Sequence, residues 1–328
     1  MSRISLAPEL SRFMNLPKSL EALGAAFFLA LFAAAPPSAA DAPRVAVSIQ
    51  PIHSLVAGVM RDVGTPHLIV KGYGSPHAYQ MRPSEAVALY QADLVFWMGV
   101  PLENFLRNPL GNVSPPARVV ALLDIEGLEL LKNRDSGVWK EHDHGAHDAG
   151  EPASRPQARD PHAWLSPKIA RRFVEAIATE LIRIDPEHAE IYRRNARDLY
   201  ARIQAQAVEL NARLSPVRDA PFVMFHDAFQ YFEQAFGLKS VGALQLEPAR
   251  APSAGRILAL RNAIRDRGVR CVFREPQFQS ALVDTIVEGT QARVAVLDPL
   301  GADFPPDPDA WFHMMAANAE SMANCLGG

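Results

Sequence analysis

Residues 186–214 read PEHAEIYRRNARDLYARIQAQAVELNARL, with no glycine anywhere and no proline after the first residue. Pro186 suits the first turn of a helix, where its missing N–H costs nothing. Leu199, Ile203, Ala207, Leu210 and Leu214 then recur at steps of 4, 4, 3 and 4, drawing one apolar stripe down one face. At helical rise the segment spans about 43 Å, long for a globular protein. It is an uninterrupted rod, and the sequence on either side of it shows what the rod connects.

On both sides, short apolar runs alternate with amphipathic ones, the pattern of an α/β protein with parallel sheets. Residues 44–49, 67–70, 94–98 and 118–122 read as strands before the rod, and 221–225, 269–273 and 293–297 after it. Residues 54–62 and 83–91 read as helices, the second opened by Pro83-Ser84-Glu85. The expected architecture is therefore an N-terminal α/β lobe over 41–185, a linker helix over 186–214 and a C-terminal α/β lobe over 215–328. Residues 133–160, polar and rich in Gly, Pro, Asp and His, break the rhythm and read as a mobile loop.

The 328 residues are 48% hydrophobic and 21% charged, which excludes a largely disordered chain. A net charge of −3 leaves no basic face for nucleic acid. Two cysteines are too few for a disulfide scaffold or a four-cysteine zinc module. The one long apolar run is LGAAFFLALFAAA at 23–35, which excludes a multi-span membrane protein. Arg3, Arg12 and Lys18 precede it; Pro36-Pro37 and the small residues Ser38-Ala39-Ala40 follow. Thirteen residues rise only about 20 Å, short of a bilayer core, so residues 1–40 read as a cleaved signal peptide of an exported protein. Met1 and Met14 are both possible starts.

Export changes the meaning of the cysteines. In an oxidising compartment the pair Cys271 and Cys325 favours a bridge that ties the last helix to the core, with two separate buried thiols as the alternative. Of the ten histidines, three sit where ligands collect in α/β folds, just after strands or beside Pro and Gly. They are His77 in GYGSPHAY, His162 in DPHAWLSP and His226 directly after the strand FVMF. Asp298, at the end of the strand 293–297, is a fourth candidate. Three imidazoles and one oxygen suit a tetrahedral zinc site. The intervals between them impose no local geometry, so spacing does not demonstrate the site and structural histidines remain the alternative.

Five segments, GSPHAYQMRPSEAVALYQADLVFWMG, DPHAWLSP, FHDAFQYFE, CVFREPQF and LDPLG, together resemble the periplasmic zinc-binding proteins of high-affinity zinc ABC importers. The resemblance runs in order from about Val45 to Cys325. It implies two α/β lobes joined by a rigid helix with metal bound between them, His77, His162 and His226 as ligands, and a Cys271–Cys325 disulfide. It also places Asp298 where many relatives carry a carboxylate near the metal. Some zinc members carry Glu just before the first histidine; here Pro76 stands there, so Asp298 or a water must complete the sphere. Manganese-type relatives place Glu at the position of His226, and a third imidazole favours zinc over manganese.

The resemblance implies a non-enzymatic, monomeric zinc receptor serving an inner-membrane ABC permease. The alternatives are a manganese or iron receptor or adhesin of the same fold, and a zinc hydrolase, for which no HExxH or GxSxG is present. His142, His144 and His147, clustered with acids in EHDHGAHD, form a candidate auxiliary zinc site or a plain polar linker. Glu275 and Asp227 are candidates to orient metal-bound histidines.

Overall fold

The computed structural model describes residues 42–111, 117–134, 137–139, 158–246, 251–278 and 281–328. The signal segment and His142, His144 and His147 lie outside the described residues. Two four-stranded sheets, parallel throughout, flank the rod. The first has the order β2-β1-β3-β4, from β1 (Val45–Val47), β2 (His67–Leu68), β3 (Leu94–Trp97) and β4 (Arg118–Ala121). The second has the order β6-β5-β7-β8, from β5 (Phe222–His226), β6 (Ser240–Gln245), β7 (Cys271–Arg274) and β8 (Arg293–Val296). The helices are α1 (Gln50–Val59), α2 (Pro83–Gln91), α3 (Arg107–Leu110), α4 (Pro167–Ile184), α5 (Ala189–Leu214), α6 (Gln230–Phe236), α7 (Ala254–Asp266), α8 (Ala281–Val287) and α9 (Ala310–Gly327). No helix among the described residues is long and apolar enough to cross a membrane.

Seven of the eight strands fall within a residue or two of where the sequence puts them; β6 is the addition. Its six residues, SVGALQ, are buried on both faces and show no apolar alternation to read. Gly242 explains part of this. A Cβ there would meet the carbonyl oxygen of Gly137 at 2.2 Å, because residues 137–139 lie antiparallel along β6. Trp139 N donates to Val241 O at 2.9 Å, and Ala243 N to Gly137 O at 2.9 Å. The stretch read as a mobile loop is thus fastened to a sheet edge on one side, covering backbone groups that would otherwise stand open.

The rod α5 buries Tyr192, Asn195, Leu199, Ile203, Leu210 and Leu214; of the expected stripe Ala207 is only half-buried, and two polar members extend it. Asn195 Nδ2 donates to Val59 O and Arg61 O at 3.0 and 2.7 Å, capping the end of α1. Asp185 accepts from Tyr192 Oη at 2.6 Å and pairs with His188 at the rod's entry. In the second sheet, Phe222 and Met224 of β5 face the main core, and Val223 and Phe225 face a smaller core under α7 and α8. Cys271, opening β7, is bonded to Cys325 of α9 across 54 residues, a closure worth about 4 kcal/mol in the chain-entropy model.

Each sheet has a switch point, between β1 and β3 and between β5 and β7, where ligands of parallel sheets gather at the carboxyl ends of the strands. The first is filled by the protein itself. Glu103, with no exposed surface, accepts from Met98 N and Gly99 N at 2.9 and 3.0 Å and pairs with Ser48 Oγ. Burial pushes its carboxyl up to about 7, against these hydrogen bonds. The folded state therefore holds the proton more tightly than the unfolded chain. This contribution to stability is complete below about pH 4.5 and is lost as pH rises through about 7. Glu103→Gln mimics the protonated form, its carbonyl accepting from the two amides and its NH2 donating to Ser48. Urea titrations should show the variant gaining about 2 kcal/mol on wild type between pH 5 and pH 8. A constant difference across that interval would mean the carboxyl is already ionised at pH 5.

Candidate metal centre

One strand end and two loops deliver three imidazoles to the second switch point. His226 ends β5, His77 lies in the loop after β2, and His162 stands just before the 3-10 turn Ala163–Leu165 that leads into α4. One nitrogen from each lies within 4.8 Å of the others. His77 Nε2 is 3.3 Å from His162 Nε2, and the ring centroids are 4.8 to 5.4 Å apart. The cleft they line also takes Trp164, Glu275, Gln277 and Phe278.

Two carboxylates set which nitrogens face inward. Asp160 Oδ1 accepts from both His162 N, at 2.9 Å, and His162 Nδ1, at 2.8 Å. Glu275 takes His226 Nδ1 at 3.2 and 3.3 Å. A carboxylate accepts the Nδ1 proton, so the Nε2 lone pair is left bare, the tautomer a metal requires. His226 Nε2 is buried without a hydrogen-bond partner. Burial, reinforced by the neighbouring imidazoles, holds His77 and His162 well below the usual histidine range, so both are neutral near pH 7. Burial acts the same way on His226, but the charge and hydrogen bond of Glu275, with Asp227 and Asp160 nearby, outweigh it and raise its pKa.

The structure brings the three histidines together and leaves Asp298 outside their cluster. Asp298 Oδ1 accepts from Gln277 Nε2 at 2.7 Å and Leu300 N at 2.9 Å, and Oδ2 accepts from Ala302 N at 2.6 Å. Its main chain is clamped as well, with Asp298 N donating to Asn318 Oδ1 and Asn318 Nδ2 to Asp298 O, both at 2.8 Å. Glu275 has the orienting contact expected of it. Asp227 does not: its carboxylate turns to Arg134 at 2.9 Å. Trp164 and Tyr231 are buried, and Phe278 stacks on Phe225, so these aromatic residues pack around the site, Trp164 and Tyr231 with hydrogen bonds of their own.

Two participants went unread in the sequence. Asp160 carries a legible signal, a carboxylate two residues before a ligand-type histidine with proline between. Arg134 carries none, since it sits in the stretch read as loop. Its guanidinium reaches Asp227 and Glu233, both buried, and lies 4.6 Å over the Trp139 ring. Gln230 Nε2 donates to Lys132 O and Asp160 Oδ2 at 3.1 and 3.0 Å, and Tyr231 Oη accepts from Leu131 N and donates to Asp160 O. Both stems of the loop are therefore bound to α6.

Fold and donor set define a class: an α/β protein of two parallel sheets and a long helix, with one three-imidazole metal site among the described residues. Residues 45–325 match the family described as zinc-uptake complex component A, periplasmic, and the chain belongs to that family. It is 41% identical over 310 residues to the high-affinity zinc uptake system protein ZnuA of Brucella abortus (strain 2308), covering 88% of this chain and 93% of the relative. A crystal structure of ZnuA superposes with a TM-score of 0.73 at 26% identity, over 87% of this chain and 100% of that one. A second, of a 138-173 ZnuA deletion mutant with zinc bound, gives 0.72 at 25% identity, over 87% and 98%. These are binding components of an uptake system, not enzymes.

Arg134→Met leaves Asp227 and Glu233 buried without their cation. Burial already pushes Asp227 up to about 7 against the pull of Arg134. Without the arginine, the charged carboxylates should cost about 3 kcal/mol at pH 8. The loss should shrink at pH 5.5, where Asp227 takes up a proton. Urea midpoints of variant and wild type at the two pH values check this, and equal midpoints would show the clasp to be energetically idle.

Proposed function

We propose that this protein captures Zn2+ through His77, His162 and His226, with Asp298 or a water in the fourth position, and hands it to an ABC-type permease in the inner membrane. The observation that carries the reading is the convergence of three buried imidazole nitrogens, two held neutral by burial, with no other partner for His226 Nε2. Three imidazoles suit zinc better than manganese, which favours carboxylate oxygen. The names of the family and the relatives support zinc as cargo and an uptake complex as partner. The protein acts as a periplasmic monomer, freed of residues 1–40 on export, with lobes over 41–185 and 215–328 and the linker helix 186–214 between them. His142, His144 and His147 form a weaker auxiliary site.

Competition titration against a chromophoric chelator tests the ligand set. Each of His77→Ala, His162→Ala and His226→Ala should weaken zinc binding at least about 100-fold. Deleting residues 140–150, which spares Trp139, should remove only weak, superstoichiometric zinc. Near-native affinity after any one histidine substitution would remove that residue from the site, and loss of the tight event on loop deletion would relocate it.

Proton competition should come from one residue. Zinc needs bare imidazoles; His226, with its raised pKa, is the first to hold a proton as pH falls, whereas His77 and His162 take theirs only well below the usual range. Between pH 7 and pH 6 the affinity should fall with pH by no more than about tenfold per unit, the signature of one displaced proton. A slope near three protons per zinc in that interval would contradict the neutrality of His77 and His162.

A further inference from the structure

A carboxylate near a three-imidazole site would ordinarily be a strong candidate to close it, and Asp298 is restrained from doing so at every polar atom. Asn318 holds both of its main-chain groups, the amides of Leu300 and Ala302 hold one oxygen each, and Gln277 holds the remaining contact. The two amides belong to the turn that Asp298 itself starts, so they move with it. Gln277 does not. It comes from the segment after β7, next to Glu275, and lines the cleft beside the histidines.

Hydrogen-bond chemistry fixes how Gln277 is turned. The Asp298 carboxylate only accepts, so the amide must present Nε2 to it, at 2.7 Å. This leaves Oε1 buried and without any partner. An orphaned buried acceptor costs about 1–3 kcal/mol unless something donates to it. The residue faces a cleft whose three protein donors are all nitrogen, and a water in the fourth position of the site carries the protons Oε1 lacks.

We propose that Gln277 is a specificity-determining residue, which withholds Asp298 from the metal with its NH2 and accepts from the fourth-position water with its carbonyl. The proposal rests on the three-histidine reading above and decides between its two fourth ligands in favour of water. It has a consequence for selectivity. Three imidazoles and a water form a borderline site suited to zinc, whereas admitting a carboxylate hardens the donor set toward manganese. Gln277 thereby keeps a carboxylate-bearing cleft selective for zinc.

The test measures Zn2+ by chelator competition and Mn2+ by the electron paramagnetic resonance of the free ion, on the full protein. Gln277→Leu keeps the bulk, frees Asp298 and removes the water's acceptor. It should tighten Mn2+ at least tenfold while Zn2+ weakens or holds, and Gln277→Leu with Asp298→Asn should lose the gain. A crystal structure of the zinc-loaded wild type should show a water, and no carboxylate, in the fourth position. An unchanged zinc-to-manganese ratio in Gln277→Leu overturns the proposal, as does an Asp298 oxygen on the metal in that structure, which would make Asp298 a ligand already. The zinc-loaded wild type decides the matter even if Gln277→Leu fails to fold. Either failure, with wild-type zinc still dependent on His162, leaves the histidine site standing; wild-type zinc binding indifferent to His162→Ala would instead remove that reading.

Discussion

Three imidazoles crowded within 4.8 Å of one another in a buried cleft can take up a metal only if they do not all carry charge and if they can turn lone pairs, not protons, inward. Burial does the first for His77 and His162, and carboxylates do the second for His162 and His226. Each of those carboxylates is itself buried and needs support. Asp160, pushed up to about 6 by burial, is held by the His162 amide and by Gln230, and Glu275 leans on His226. The polar network around the cleft is thus an extension of one requirement, the tautomers of two histidines.

The halves that carry the two sheets are also bound to each other near the cleft. Trp164 Nε1 donates to Pro299 O at 2.7 Å, and Gln50 Nε2 to Gly301 O and Phe304 O at 2.5 and 2.8 Å. Tyr73 Oη donates to Asp303, and Trp311 is held by Ser54 and by the Trp164 carbonyl. Residues from the first sheet's half therefore grip the turn that follows β8. On the other side, Arg134 and Trp139 fasten the loop stem to α6 and β6. Histidines drawn from positions 77, 162 and 226 keep their spacing because the segments carrying them are fixed from both sides.

The rod and seven strands were legible because each has a local signature, a helical stripe or a short apolar run; the three histidines stood out by position, after a strand or beside proline, but only the resemblance gave them a role. Strand β6 was not, because burial on both faces erases alternation and Gly242 answers to a neighbour over a hundred residues away. Arg134 is invisible for the same reason; its partners Asp227 and Glu233 come from the other end of the rod. Asp298 marks the opposite limit. Its place at the end of a strand was readable, but the amide that occupies its oxygen arrives from another strand, and no pattern along the chain announces that contact.

Glu103 gives the molecule its arithmetic. Two parallel sheets of the same strand order offer two crevices of one kind, and a chain built this way has room for cargo at each. By lodging its own side chain in the first, the protein stops that crevice like a cork and leaves a single open berth at the second. Among the described residues, the fold thus spends one of two like crevices on its own architecture and keeps the other for the imidazoles.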